Sequence, residues 1–291
     1  FVFFAASTRA GIISTVYAQM VSEWLGIPFE SIQLEQGDTA SVAAGRGTVA
    51  SRSMVLGGSA MRHAADDVIE NGKKFAAHLM EADPSDIEFA EGVFTIVGTD
   101  RSMSIIEVAK ASFRPAGIPQ ELGVGLDGTG AYAAIQPSFP NGCHICEVEI
   151  DTETGTVDLV KYTVVDDIGV VINPMLADGQ IHGGIAQGVG QALTEDVIFD
   201  KESGQLMTGS LMDYAMPFAD TLPSFEMEFH EVPCKSNPIG VKGAGEGGTV
   251  GATPAVISAI LDALAPLGVK DIEMPATSQR VWKAIESAQA P

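Results

Sequence analysis

Apolar residues recur at helical spacing near the start of the chain. Ile13, Tyr17, Val21 and Trp24 form one stripe, with Ile12, Val16 and Met20 beside it, the period of a helix with one buried face. Gly26 and Pro28 then supply stop signals. In SIQLE, Ile32 and Leu34 alternate with polar neighbours and predict a short strand. From Ser53 to about Met80 the pattern predicts one long helix or two. IEFAEGVFTIV reads as a hairpin turning at Glu91 and Gly92. Ser104 and Glu107 stand at capping-box spacing ahead of the helix IIEVAKASF.

Between Arg114 and Gly142 the periodicity fades, and Pro115, Pro119, Pro137 and Pro140 mix with glycines. The pattern therefore predicts a first subdomain at 1–115, a linker or crossing segment at 116–142, and a second subdomain at 143–291. The second half opens with two strands, CHICEVEID and TVDLVKYTVVDD, joined by the turn TETG. Asn173 and Pro174 place an N-cap and an N1 proline before a helical stretch, and SFEMEFHEV is a further alternating strand. Thr253 and Pro254 repeat the cap-plus-proline signal and predict a helix beginning there, over AVISAILDAL. Strand runs and helices interleave, so the expected class is α+β, built as two mixed α/β subdomains.

Charge and composition narrow the function. The 291 residues carry 16 basic and 38 acidic side chains, a formal charge of −22, which gives no basic footprint for nucleic acid. No uncharged apolar stretch reaches the roughly 18 residues that suggest a membrane span; the longest candidate, Gly247 to Leu261, stops at Asp262. The opening FVFFAAS reads as a strand entered partway, so an internal fragment or a trimmed subunit is expected. Three cysteines, Cys143, Cys146 and Cys234, are too few for a disulfide framework and fit a reducing, cytoplasmic setting. Cys143 and Cys146 form a CxxC without a second pair, and are expected as buried strand residues rather than metal or redox groups.

Three loops combine small residues with polar groups. In AAGRGTVASRS, Ser51, Arg52 and Ser53 precede a helix and suit a phosphate or other anion, although a plain glycine-bearing connection reads the same way. In DGQIHGGIAQGVGQ, Gln180, Gln187 and Gln191 lie among five glycines, which points either to close helix packing or to an approaching ligand. In GVKGAGEGGTVG, Glu246 is set among Gly243, Gly245, Gly247 and Gly248. A carboxylate there is either a general base beside a bound group or a loop residue facing water. His63, His78, His144, His182 and His230 are scattered without ligand spacing and read as surface or satisfied core residues.

Together these loops resemble a known family. VVDDIGVVINPMLADGQIHGGIAQGVGQALTED, GVKGAGEGG and the terminal TSQRVWKAIESA are similar to the xanthine oxidase family of molybdenum hydroxylases, which includes aerobic carbon monoxide dehydrogenases, aldehyde oxidoreductases and nicotinate dehydrogenases. The resemblance covers nearly the whole chain and corresponds to the C-terminal part of the molybdenum-binding subunit. It implies subdomains of the molybdopterin-binding type, and a molybdopterin with molybdenum, in plain or cytosine dinucleotide form. Glu246 matches the active-site glutamate, Gly245 its neighbour beside the metal, and Gly179 and Gln180 the pterin-contacting stretch. Ala50, Ser51, Arg52 and Ser53 match the loop near the cofactor's phosphate. The dithiolene of the pterin holds the metal, so no protein side chain is expected as a metal ligand.

Where the family carries a GQG-type stretch before the first helix, this chain has Arg9, Ala10 and Gly11. Arg9 is expected to meet a phosphate or oxo group in place of the missing amide. The resemblance implies insertion of water-derived oxygen at an electron-poor carbon of a small molecule, with hydride transfer to molybdenum and Glu246 as base. Electrons would leave through iron–sulfur clusters and FAD on partner subunits, and the N-terminal molybdenum-domain region or a sister subunit would complete the site. The competing expectation is a cofactor-free assembly or interaction module that keeps the fold without the chemistry.

Overall fold

The computed structural model describes residues 2–5, 11–42, 47–114 and 117–290. They fall into two compact units, Phe1–Ser138 with Cys234–Val241, and Phe139–Pro233 with Lys242–Pro291. The segment expected to cross between halves thus stays with the first unit as far as Ser138.

In the first unit β1 (Val2–Ala5) pairs in parallel with β2 (Gln33–Gln36) across the helix α1 (Gly11–Leu25). Helix α2 (Ser59–Leu79) follows a π-helical turn, Met54–Gly58. The antiparallel sheet β3 (Ile87–Ala90), β4 (Val93–Ile96), β5 (Ser102–Ser104) leads into α3 (Ile105–Ser112) through the expected capping box. Tyr17, Val21, Leu25, Phe75, Phe94 and Ile105 form the core. The hairpin needs Gly92 because its backbone lies on Gly26: a Cβ on either would stand within 2.5 Å of the other's backbone atoms.

In the second unit β6 (Asn141–Asp151) and β7 (Thr156–Asp167) are antiparallel, and β8 (Phe225–Phe229) joins β7 in parallel. Helix α4 (Pro174–Leu193) starts at the Asn173 cap, whose side chain accepts from Leu176 N–H at 3.0 Å. It packs on α5 (Gly247–Leu264), and α5 packs on β6; α6 (Ser278–Gln289) closes the unit against β7. Tyr162, Ile181, Ile185, Val256, Ile260 and Leu264 are buried between these layers.

Helix α5 corrects one expectation. It begins at Gly247, not at Thr253, and carries Pro254 inside it. The missing proline N–H costs one ladder bond, but tertiary packing outweighs it. Gly248 and Ala252 on this early stretch are buried against α4, and the Thr253 hydroxyl lies 3.3 Å from the Gly188 carbonyl instead of capping a helix start. The extended helix also changes the membrane reading: Gly247–Leu267 is long and apolar enough to cross a bilayer by length and composition. Its Ala252, Val256, Ile260 and Leu264 face the core of the second unit, and 22% of its most apolar window is buried.

The CxxC corrects another. Cys143 is exposed and Cys146 half-buried, both as free thiols. Three residues apart on one strand, they point to opposite faces and cannot converge on a shared ion. Burial, and then the neighbouring Glu147 charge, push the Cys146 thiol up to about 11, which keeps it protonated.

Candidate cofactor site

The Asp–Gly–Gln motif on α4 and the glycine-set Glu246 are brought together in the second unit. Gln180 Nε2 donates to the Gly245 carbonyl at 2.8 Å, 65 positions along the chain. This bond exists because α4 and α5 cross closely. A Cβ on Gly184 would stand 2.9 Å from Gly248 Cα, and one on Gly188 2.7 Å from Ala252 Cβ. Thr249 Oγ1 lies 3.0 Å from the Gly184 carbonyl and 3.1 Å from Gln187 Oε1, and Thr253 Oγ1 lies 3.3 Å from Gln191 Oε1. Gln187 and Gln191 are thus committed to the helix crossing. Gly179 and Gly183 behave differently: nothing lies within 4 Å of a Cβ added to either. Four of the five glycines therefore serve the purposes open from the sequence, Gly184 and Gly188 for packing and Gly179 and Gly183 leaving a bare face beside Gln180, while Gly190 makes room for Glu195 and Pro217.

The segment from Lys242 to Glu246 is pinned at both ends. At its start Lys242 N–H donates to the Ile168 carbonyl at 2.7 Å, and the Lys242 ammonium pairs with Asp167, both side chains about nine-tenths buried. Asp167 also accepts from the N–H groups of Gly169 at 2.9 Å and Val232 at 3.2 Å. Burial raises its pKa, but Lys242 and these two N–H groups together outweigh burial and hold the carboxyl below its usual range. At its end the segment is held by Gln180 through Gly245. Glu246 itself stands at the N-cap position of α5 with φ −115 and ψ −6, makes no side-chain cap bond to the helix, and is exposed. The enclosed setting expected for a general base is thus not built by this unit's own side chains.

A buried polar group lies under the same helix start. Asp166, 6% exposed, has its Oδ1 3.3 Å from His144 Nε2, and His144 Nδ1 is 2.8 Å from the Tyr162 hydroxyl. Burial, and then nearby acidic groups, hold the Tyr162 phenol well above its usual range, so it serves as a hydroxyl donor. The imidazole thus stands between the Asp166 carboxylate and the Tyr162 hydroxyl. The sequence reading left His144 as a surface or satisfied core residue, and its buried side chain is the second; it gave Asp166, Asp167 and Lys242 no role. The available signal was a pair of adjacent acids ending an apolar strand, both of which are buried.

In the first unit the phosphate-loop candidates separate. Ala50 and Ser51 adopt left-handed backbone, φ 52 and 53, uncommon for non-glycine residues. Arg52 is half-buried and reaches the Gly47 carbonyl at 3.5 Å. Ser53 is buried, its hydroxyl donating to Thr48 Oγ1 at 3.0 Å and its carbonyl accepting from Tyr17 at 2.7 Å. Ser53 therefore shapes the turn from inside. Arg9 lies outside the described residues, as do Ala43, Ala44, Gly45 and Arg46 of the same loop. Among the described residues no group of three or more His, Cys, Asp or Glu is arranged to hold a metal ion. A half-open cleft of about 460 Å³, lined by Thr156–Leu159, Val189, Leu193 and Pro217 among others, lies at the far ends of β7 and α4 from Asp166 and Gln180.

Residues 11–223 match the model of the molybdopterin cofactor-binding domain. The chain belongs to the molybdopterin cofactor-binding domain family. It is 36% identical over 291 residues to the carbon monoxide dehydrogenase large chain of Hydrogenophaga pseudoflava, covering 97% of this chain and 36% of that one. It is 39% identical over 276 residues to the nicotine 6-hydroxylase large subunit of Paenarthrobacter nicotinovorans, covering 93% of this chain and 33% of that one. Among solved structures, quinoline 2-oxidoreductase from Pseudomonas putida 86 superposes with a TM-score of 0.90 at 35% identity, over 100% of this chain and 37% of that one. A Cu,Mo-CO dehydrogenase superposes with a TM-score of 0.91 at 32% identity, over 99% of this chain and 36% of that one. The chain spans about a third of the length of these relatives. The α+β molybdopterin-binding fold expected from the motifs is the fold observed. The family model's matched segment stops short of Glu246, whereas the superposition on quinoline 2-oxidoreductase spans 100% of this chain.

The residues present fit a pterin. Such a group needs amide-like donors and acceptors beside a flat, unobstructed surface. Gly179 and Gly183 leave that surface bare, and Gln180 and the Gly245 backbone line its edge.

Proposed function

We propose that this domain forms part of the catalytic, molybdenum-binding subunit of a hydroxylase or dehydrogenase acting on a small molecule at an electron-poor carbon. The Gln180–Gly245 bond carries the reading, because it places the amide motif and the glutamate loop against each other. Gln180, Gly179 and Gly183 of α4 would hold the pterin. Gly245 would leave room beside the metal, and the loop of Ala50, Ser51 and Arg52 in the first unit is assigned separately to the phosphate end of the cofactor. When bound, the molybdenum centre supplies the two-electron acceptor for the oxidation.

The chain's own chemistry is the proton. A carboxylate oxygen of Glu246 takes the proton that water gives up as its oxygen is inserted into substrate. Exposed in this unit, Glu246 gains the enclosure a base requires from the cofactor, the substrate and the rest of the subunit. Its glycine neighbours let the backbone approach a bound group closely, and the two anchors at Lys242 and Gly245 fix where the carboxylate stands.

Partners follow from the relatives, which are large chains or subunits of assemblies. We assign iron–sulfur and FAD subunits as the electron exit, and the remaining molybdenum-domain region as the completion of the site. Phe199, Leu211, Met212 and Phe218, exposed on one stretch of the second unit, suit burial in such an assembly. Three free thiols suit the cytoplasm.

The test is metal and pterin analysis of the full-length subunit purified with its partners. Stoichiometric molybdenum and pterin are expected, with a clear drop in Gln180→Ala, where a buried pterin group loses its partner at about 1–3 kcal/mol. A native assembly holding neither molybdenum nor pterin would instead establish the cofactor-free module.

A further inference from the structure

We propose that Asp166 is a positioning residue for Glu246. It supplies, from inside the protein, the negative charge that steadies the first turn of α5, which the Glu246 side chain does not cap. The inference rests on the reading of Glu246 as the base.

Three observations carry it. First, Asp166 is buried, and its second carboxylate oxygen, Oδ2, has no hydrogen-bond partner. An unsatisfied buried acceptor is costly and rare in native proteins. Second, that oxygen faces the start of α5: a Cβ on Gly247 would stand 3.8 Å from it. The opening N–H groups of a helix have no intrahelical acceptor and favour an anion close by. The first ladder bond of α5 runs from Val250 N–H to the Glu246 carbonyl at 3.0 Å, and the Glu246 side chain makes no cap bond. The residue that normally caps a helix leaves that task undone here, and a buried carboxylate stands where it can take the task over.

Third, the surroundings are cut to admit this arrangement. A Cβ on Gly142 would stand 1.9 Å from Asp166 Oδ1, and one on Gly251 2.6 Å from the His144 ring. Glycines on β6 and α5 therefore make room for the carboxylate and for the imidazole that orients it. The Tyr162 hydroxyl fixes the imidazole from its other side at 2.8 Å. Asp167, the next residue, anchors Lys242 at the start of the Glu246 segment. The adjacent acids thus hold the segment's entry and the helix that follows it.

The experiment compares Asp166→Asn with Glu246→Gln in the assembled holoenzyme. The first substitution keeps the side chain's shape and an acceptor for His144 but removes the charge. Two readouts are taken: amide hydrogen exchange in the peptide spanning Gly243–Ala252, and kcat against KM. Exchange in the first turn should speed up roughly 2- to 30-fold, the range an anion at a helix start supplies, while the Val256–Leu264 stretch stays protected. A small misplacement of the carboxylate should lower kcat by about 10- to 100-fold, with KM and molybdenum content unchanged. Native exchange together with native kcat overturns the proposal, as does loosening along the whole of α5. If Asp166→Asn does not assemble, His144→Gln, which removes the imidazole that orients the carboxylate, should speed first-turn exchange in the same way; unchanged exchange overturns the proposal. A near-native Glu246→Gln alongside a loosened first turn in Asp166→Asn would refute the base while leaving the helix anchor standing.

Discussion

Replacing Gly183 and Gly184 by alanine, one at a time, should move stability in opposite directions although the two are neighbours on α4. Inside a helix, alanine gains up to about 1 kcal/mol over glycine. At Gly183 nothing lies within 4 Å of the added methyl, so that gain is retained. At Gly184 the methyl would meet Gly248 Cα at 2.9 Å and Thr249 N at 3.0 Å, both backbone atoms. No rotamer change relieves such a contact; α5 has to back away, stretching the 3.0 Å approach of Thr249 Oγ1 to the Gly184 carbonyl. Overpacking of this kind costs about 1–3 kcal/mol, which exceeds the propensity gain. The two variants should therefore differ by about 2 kcal/mol, or roughly 4–8 °C in melting temperature for a domain of this size. Thermal unfolding of the cofactor-depleted full-length subunit reads this directly. Gly183→Ala carries a second expectation, because its methyl stands on the face assigned to the pterin: the fold is firmer, yet molybdenum and pterin retention falls. Stabilisation by both substitutions would refute the close helix crossing, and full cofactor retention in Gly183→Ala would remove that face from the site.

Two further outcomes follow from the charged and thiol groups. Lys242→Met leaves the buried Asp167 carboxylate without its cation and should cost about 3–5 kcal/mol in thermal or urea unfolding. Because the folded Asp167 carboxyl sits below its unfolded value, the wild-type contribution is full above about pH 4, the unfolded value. It is lost as pH falls through the lower, folded value, and Lys242→Met should flatten that acid limb of stability against pH. Iodoacetamide at pH 8 should modify Cys143 well before Cys146, since the latter thiol is pushed up to about 11; mass spectrometry showing equal labelling would contradict the burial of Cys146.

Local pattern carried most of the elements. The stripe on α1, the hairpin at Glu91–Gly92, the capping box at Ser104 and Glu107 and the Asn173 cap all rest on neighbours in sequence, and all appear as expected. The start of α5 does not, because what decides it lies elsewhere. Thr253 and Pro254 form a sound local cap signal, but Gly248 and Ala252 gain more by packing on α4. The same holds for the site. Gln180 and Glu246 stand out through their glycine-rich settings, while the bond joining them spans 65 positions. The roles of Asp166, Asp167 and Lys242 depend on strand register and on where Lys242 returns to the second unit. No local signal announces that Cys234–Val241 belongs with the first unit.

The central claim is that Glu246 moves the proton. Glu246→Gln, in the complete subunit assembled with its partners, keeps the side chain's size and hydrogen-bonding reach and removes its basicity. The measurement is the rate at which substrate reduces the enzyme in a single turnover. General-base catalysis is worth about 10²–10⁴-fold, so reduction should slow by that factor while molybdenum and pterin content stay normal. Reduction at a near-native rate would show that Glu246 is a structural residue of its loop and that the proton leaves by another route.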